Sequence, residues 1–114
     1  MTFYLAKTLN NIKKYGPVPD LSGEPEKVEE YNISEEENEW LLDNLVDEIN
    51  ARCNSLLDDG DYDYFDVEMC HALIELLEDL PKDFVPEKYE SMIATLKEYA
   101  KRAIGYKTGI AIEL

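Results

Sequence analysis

Positive charge is scarce in this chain. Its 11 Lys+Arg face 26 Asp+Glu, which leaves a formal −15 and an isoelectric point near 4.2. Proteins that neutralise phosphates need the opposite balance. Binding of DNA or RNA through the phosphate backbone and docking on an anionic membrane are therefore excluded as main activities. Long hydrophobic runs are also missing. No stretch approaches the 18 or so apolar residues of a membrane-spanning helix, and Met1–Lys7 has no basic segment leading into a long apolar run, so no secretory leader is read. A cytoplasmic location is the expectation. There is one histidine, His71, and there are two cysteines, Cys53 and Cys70, each inside an apolar helical pattern. Two such cysteines are expected to be buried free thiols rather than a disulfide framework.

What is present is ordinary for a folded protein: 45% of the 114 residues are hydrophobic and 11% aromatic. That is too apolar for a disordered acidic tail, and the length suits one acidic domain over residues 1–114. The charge is unevenly divided. Residues 1–16 hold three lysines and no acid, and residues 17–80 hold 21 acids against Lys27 and Arg52. Residues 81–114 are close to neutral, with five acids and six bases. A surface made acidic only for solubility would not concentrate its charge in the middle of the chain.

Helical spacing dominates the pattern. Leu5, Leu9 and Ile12 predict a helix over about 3–15, capped by Thr2 and closed by Gly16, with Pro17 beyond. Residues 17–25, with three prolines and a glycine, read as a loop that could run extended across the surface. Ser34-Glu35-Glu36-Glu37 is a capping box. Leu42, Val46, Ile49, Cys53 and Leu56, widened by Leu45, continue from it as one amphipathic helix over about 34–57. Met69, Leu73, Leu76 and Leu80 predict a third helix over about 66–80, stopped by Pro81. Tyr89, Ile93, Leu96, Ala100 and Ala103 predict a fourth, beginning at Pro86 and closing at Gly105. The tail 106–114 reads as a short strand or an apolar arm. The expected fold is all-α: a four-helix bundle, or an irregular helical bundle with a long Pro-rich loop after its first helix.

Catalytic constellations are not evident, and the chain is read as a non-enzyme without cofactor or metal. Glu68-Met69-Cys70-His71 contains a Glu-x-x-His step, but a di-iron bundle needs a second one and no second histidine exists. The aspartates at 58–66 fit no EF-hand register: with Asp59 first, Tyr64 stands where the turn glycine belongs and Cys70 where the bidentate glutamate belongs. No glycine-rich phosphate loop or nucleophile motif is present.

The run Asp58-Asp59-Gly60-Asp61-Tyr62-Asp63-Tyr64-Phe65-Asp66-Val67-Glu68 stands out because a solvated loop does not need three aromatics. Tyrosine is common at interface hot spots, and aspartates around it would steer a partner's Lys and Arg. Asp58, Asp59, Asp61, Tyr62, Asp63, Tyr64, Asp66 and Glu68 are the candidate partner-binding residues, and at least one of the three aromatics is expected to be buried. Glu36, Asp43 and Asp47, at helical spacings of 7 and 4, form a second candidate surface.

This run resembles the acidic, tyrosine-bearing inhibitory surface of bacterial toxin-immunity proteins of the colicin-nuclease and contact-dependent-inhibition types. It lacks the proline that follows the paired tyrosines in the colicin DNase immunity family. The resemblance implies a stoichiometric inhibitor that covers the cationic substrate cleft of a basic toxin, in particular a nuclease. Two other readings remain open at this point: a phage protein that mimics DNA, of the anti-restriction or anti-CRISPR kind, and a helical adaptor that binds through apolar contacts.

Overall fold

The computed structural model describes all of residues 1–114. It contains a sheet, which overturns the all-α expectation. Six strands, β1 (Thr2–Ala6), β2 (Lys14–Tyr15), β3 (Val18–Pro19), β4 (Val28–Asn32), β5 (Tyr62–Phe65) and β6 (Ile110–Glu113), accompany four helices. These are α1 (Glu35–Asn44), α2 (Val46–Cys53), α3 (Val67–Glu78) and α4 (Glu90–Tyr106), the last preceded by a single 3-10 turn, Glu87–Tyr89. Four strands form an antiparallel sheet in the order β4-β1-β6-β5, while β2 and β3 form a separate small hairpin. The helices lie on one side of the sheet, the arrangement of an antiparallel sheet with segregated helices. No helix is long and apolar enough to cross a membrane.

The N-terminal segment is the clearest correction. Leu5, Leu9 and Ile12 do fall at helical spacing, but Phe3, Tyr4, Leu5 and Ala6 are all buried. A helix presents one stripe to a core, whereas a central strand is buried on both faces. Phe3 and Leu5 join the main core beneath the helices; Tyr4 and Ala6 face the other way, into a smaller cluster with Ile12, Leu21, Val28 and Ala111. Gly16 does not close a helix. It has φ +57 in the two-residue turn between β2 and β3, where the first turn residue must be left-handed and Pro17 cannot be. The Pro-rich segment that follows runs across the open face of the sheet, with Leu21 fully buried.

The expected single helix over 34–57 is broken at Leu45 (φ −126°) into α1 and α2. Asn44 donates its side-chain amide to the Trp40 carbonyl at 2.9 Å, a bond that competes with the helical ladder. The capping box is present: Glu37 N–H donates to Ser34 Oγ (3.1 Å) and Ser34 N–H to Glu37 Oε1 (2.9 Å). Leu56, expected in the buried stripe, is exposed, and Leu57 is buried instead. That shift follows from Asn54, which ends α2 in the left-handed region (φ 57°). The other two helices lie close to expectation. Asp66 caps α3 by accepting from Met69 N–H at 2.9 Å, and Tyr89, Ile93, Leu96, Ala100 and Ala103 are all buried. Gly105 lies within α4; the left-handed residue that ends it is Lys107.

Residues 110–113 resolve the alternatives left open for the tail. They form β6, inserted between β1 and β5, with Ile110 and Ile112 in the main core. Cys53 and Cys70 are buried and free. Burial pushes the two thiols up, to about 11 and about 12.

Candidate functional site

The acidic-aromatic run is not a helix–helix loop. Asp66 belongs to the cap of α3, residues 58–61 make a tight turn, and Tyr62–Phe65 is the edge strand β5. Strand alternation then separates the side chains. Phe65 enters the main core fully buried, while Tyr62 and Tyr64 point to the opposite face and pack half-buried against the smaller cluster. The Tyr62 hydroxyl donates to the Pro19 carbonyl (2.8 Å) and accepts from Leu21 N–H (2.9 Å). It pins the β2–β3 hairpin to the sheet. Tyr64 lies over Gly109, where a Cβ would overlap its hydroxyl and the Phe65 carbonyl. Tyr4 completes the row, its hydroxyl donating to Glu113 at 2.9 Å. Burial is the first cause that raises all three phenols to about 12. Both tyrosines therefore pack within the fold while each keeps part of its surface exposed.

Two of the aspartates are also spoken for. Asp63 accepts from Leu56 N–H (2.7 Å) and Tyr64 N–H (2.9 Å), which ties the chain after α2 to the open edge of β5. Asp66 is the α3 cap already described. Asp58, Asp59, Asp61 and Glu68 are exposed. Asp58 accepts from Asp59 N–H at 2.8 Å, a bond local to the turn. The turn is held in place by the end of β6: Gly60 N–H donates to the Leu114 carbonyl (2.9 Å), and Leu114 N–H to the Asp61 carbonyl (3.0 Å).

The second candidate surface is dispersed. Glu36 pairs with Lys88 at 3.1 Å, beside the cluster in which Trp40 meets Phe84 and Tyr89. Asp43 is exposed on α1 and Asp47 on α2, and the break at Leu45 interrupts the helical register from which the three were read as one face.

What the fold does bring together is the turn and a different face of α1. Glu35, Asn38, Glu39 and Leu42 follow the i, i+3, i+4, i+7 spacing of one helix face. With Met1 and Asp59 they line a shallow cleft of about 190 Å³. Glu35, Asn38 and Glu39 were not among the sequence candidates. Their signal was present in the sequence: Asn38 sits at a core-facing position of the helix, three residues before Leu41, where an apolar residue belongs. A second concavity, lined by Arg52, Asn54, Asp66, Glu68 and Met69 among others, opens between the end of α2 and the start of α3. His71 is exposed on α3, and no group of three or more His, Cys, Asp or Glu side chains is placed to hold a metal ion.

Six ion pairs occur, and all but Lys27–Glu24 and Arg102–Glu98 join residues far apart in the chain. Arg102 of α4 grips Glu29 of β4 through both terminal guanidinium nitrogens, and this hydrogen bonding holds the Glu29 carboxyl below the usual carboxylate value. None of the six involves a carboxylate between Asp58 and Glu68, nor Glu35 or Glu39. No family model, curated protein or solved structure matches the chain.

Proposed function

We propose that the protein is a stoichiometric inhibitor of the bacterial toxin-immunity kind, which neutralises a basic partner such as a nuclease by laying carboxylates over its cationic cleft. The observation that carries this reading is the lack of internal cationic partners. Asp58, Asp59, Asp61 and Glu68 are exposed and form no ion pair. Such charges repel one another in the free protein and gain from a cationic surface. Carboxylates matched to Lys or Arg in a desolvated interface can couple by about 1.5–7 kcal/mol, and the field of the acidic region speeds encounter. The turn that presents three of them is bonded to Leu114 on both sides, so little freedom is lost on binding. The inhibitory surface is accordingly drawn around Asp58, Asp59 and Asp61 and does not rely on the tyrosines.

A second reading is favoured by the internal placement of Tyr62 and Tyr64. Without aromatic anchors, the carboxylates could act as imitation phosphates toward a DNA-binding protein. One experiment separates the two. The tagged chain is used to capture partners from its native cells in about 0.05 M salt, followed by release in about 0.5 M, where screening is nearly complete beyond a few ångströms. The inhibitor reading expects a basic protein in a 1:1 complex whose activity falls when the chain is added back. It also expects the triple variant D58N/D59N/D61N to lose capture while D43N/D47N keeps it. Comparable small losses from both variants would favour the mimic. Retention of the partner at high salt would overturn both.

A further inference from the structure

The outer edge of β5, the strand that leaves the 58–61 turn, carries an inference beyond charge attraction. β5 ends the main sheet, with β6 on one side and no strand on the other. Leu114 N–H donates to the Asp61 carbonyl and Ala6 N–H to the Gly109 carbonyl, so the even residues of β6 bond to β5 and the odd ones to β1. The two-residue period of an antiparallel ladder then turns the main-chain groups of Asp63 and Phe65 toward β6 and those of Tyr62 and Tyr64 outward. Asp63 takes up the Tyr64 N–H with its own carboxylate at 2.9 Å. The Tyr62 N–H and the carbonyls of Tyr62 and Tyr64 are left along the edge, a row of groups on which another strand can pair.

Apolar surface lies on both sides of this edge. On the helix side stands Leu56, at 83% the most exposed large apolar side chain in the protein, its N–H bonded to Asp63. On the open face a groove of about 610 Å³ lies between the β2–β3 hairpin and the end of β5. Leu9, Val18 and Val67 line it, and Leu9 and Val18 are exposed. Asp63, Asp66 and Glu68 also line it and have no cationic partner; Lys107, the one cation there, pairs with none of them. The opposite edge strand, β4, lines no cavity. Exposed apolar surface beside an unpaired edge marks an interaction site, and the unpaired carboxylates set the sign of what fits. We propose that β5 is extended by a strand of the partner that mixes apolar residues with Lys or Arg. Its main chain pairs with the outward groups of Tyr62 and Tyr64, its apolar side chains seat in the groove and against Leu56, and its cations meet Asp66 and Glu68. A second copy of this chain fits worse, since β5 against β5 brings the same carboxylates face to face. The proposal rests on the reading of the partner as basic and states how that partner would be held.

The test uses a synthetic probe. A capped peptide, Lys-Val-Val-Val-Lys-Lys, is titrated into the isotope-labelled protein beside two controls: the same peptide N-methylated throughout, which keeps charge and side chains but cannot pair as a strand, and Glu-Val-Val-Val-Glu-Glu. The expected result is saturable binding, with shifts at residues 62–68 and at Leu9, Val18 and Leu56, and with slowed exchange of the Tyr62 N–H. N-methylation should weaken binding about tenfold or more, through the lost main-chain hydrogen bonds, and the acidic peptide should not bind. L56A and E68Q, both at exposed positions outside the core, should each weaken binding, whereas D43N should not. Equal binding of the N-methylated or the acidic peptide, shifts centred on residues 28–32, or no saturation would each overturn the proposal. So would a dimer of the free chain that the peptide disperses, which would assign the edge to a second copy. Failure of the titration while the chain still captures a basic protein through Asp58, Asp59 and Asp61 would refute the added strand and leave the inhibitor reading intact. Binding of the peptide without any such capture would do the reverse.

Discussion

Replacement of Tyr62 by Phe removes one oxygen atom and tests the structural role assigned to the tyrosine row. That hydroxyl is bonded to the end of the hairpin's second arm, at Pro19, and to the segment that follows it, at Leu21, over distances of 2.8 and 2.9 Å. Leu21 is fully buried and Ile12 nearly so. With phenylalanine in place, the Leu21 amide and the Pro19 carbonyl lose their partner while the ring still fills its space. A buried polar group stranded in this way costs about 1–3 kcal/mol. The hairpin can escape the cost only by lifting into water, which exposes Leu21 and Ile12 at about 1.5–3 kcal/mol each. The two quantities are similar, so the loss should appear as easier local opening rather than global unfolding. Tenfold in an equilibrium constant is about 1.4 kcal/mol, so native-state amide exchange in the hairpin should accelerate roughly 10- to 100-fold. Asp20 is the cleanest reporter, because its N–H is bonded to the Lys13 carbonyl at 2.8 Å and does not touch Tyr62. Exchange in α3 and α4 should hardly change. Unaltered exchange at Asp20, or acceleration shared equally with the helices, would refute the claim that Tyr62 clamps the hairpin. Capture of a basic partner should survive Y62F, since every exposed carboxylate remains.

Three further outcomes are expected. G109A should lower Tm by roughly 10 °C, because the added methyl meets the Phe65 main chain as well as the Tyr64 ring and overpacking of this kind costs about 3 kcal/mol; an unchanged Tm in calorimetry would show that β5 and β6 can separate freely at that point. N38L should raise the Tm of the free protein by several degrees, since it removes an unpaired buried acceptor worth about 1–3 kcal/mol, and a fall in Tm would mean that the amide already has a partner within the fold. R102M should cost only about 0.5–1 kcal/mol, because both members of the Arg102–Glu29 pair are about one-third exposed. The Glu29 carboxyl is held low, so its contribution is complete above the unfolded value and is lost as pH falls through the folded one. The Tm gap between wild type and R102M should therefore close below about pH 4, and a gap that widens there would contradict the assignment.

Legibility of the fold followed the range of the interactions involved. The capping box at Ser34 and Glu37, the start of α3 after Asp66 and the buried stripe of α4 are made by residues within a few positions of one another, and each appears in the structure as the pattern implied. β1 was misread because three apolar residues at helical spacing also fit a strand buried on both faces, and only its neighbours decide between them. Those neighbours are remote: Thr2 pairs with Glu113 on one side and with Asn32 on the other. β4, with two glutamates among five residues, carries too little apolar alternation to announce itself. The aromatic run is visible in the sequence by composition, but only the strand shows that period-two alternation sends Phe65 to one face and the tyrosines to the other.

By itself the sequence determined the sign of the molecule's surface, the concentration of that sign in residues 17–80, and the helices whose caps and stripes are local. Tertiary structure alone decided that Tyr62 serves the hairpin, that Tyr64 packs over Gly109, and that the Asp59 turn sits beside Glu35, Asn38 and Glu39, with the Asn38 amide oxygen buried and without a partner. Charge is a sum over residues and can be read without coordinates. A cleft exists only where segments distant in the chain are brought together by the packing of everything between them.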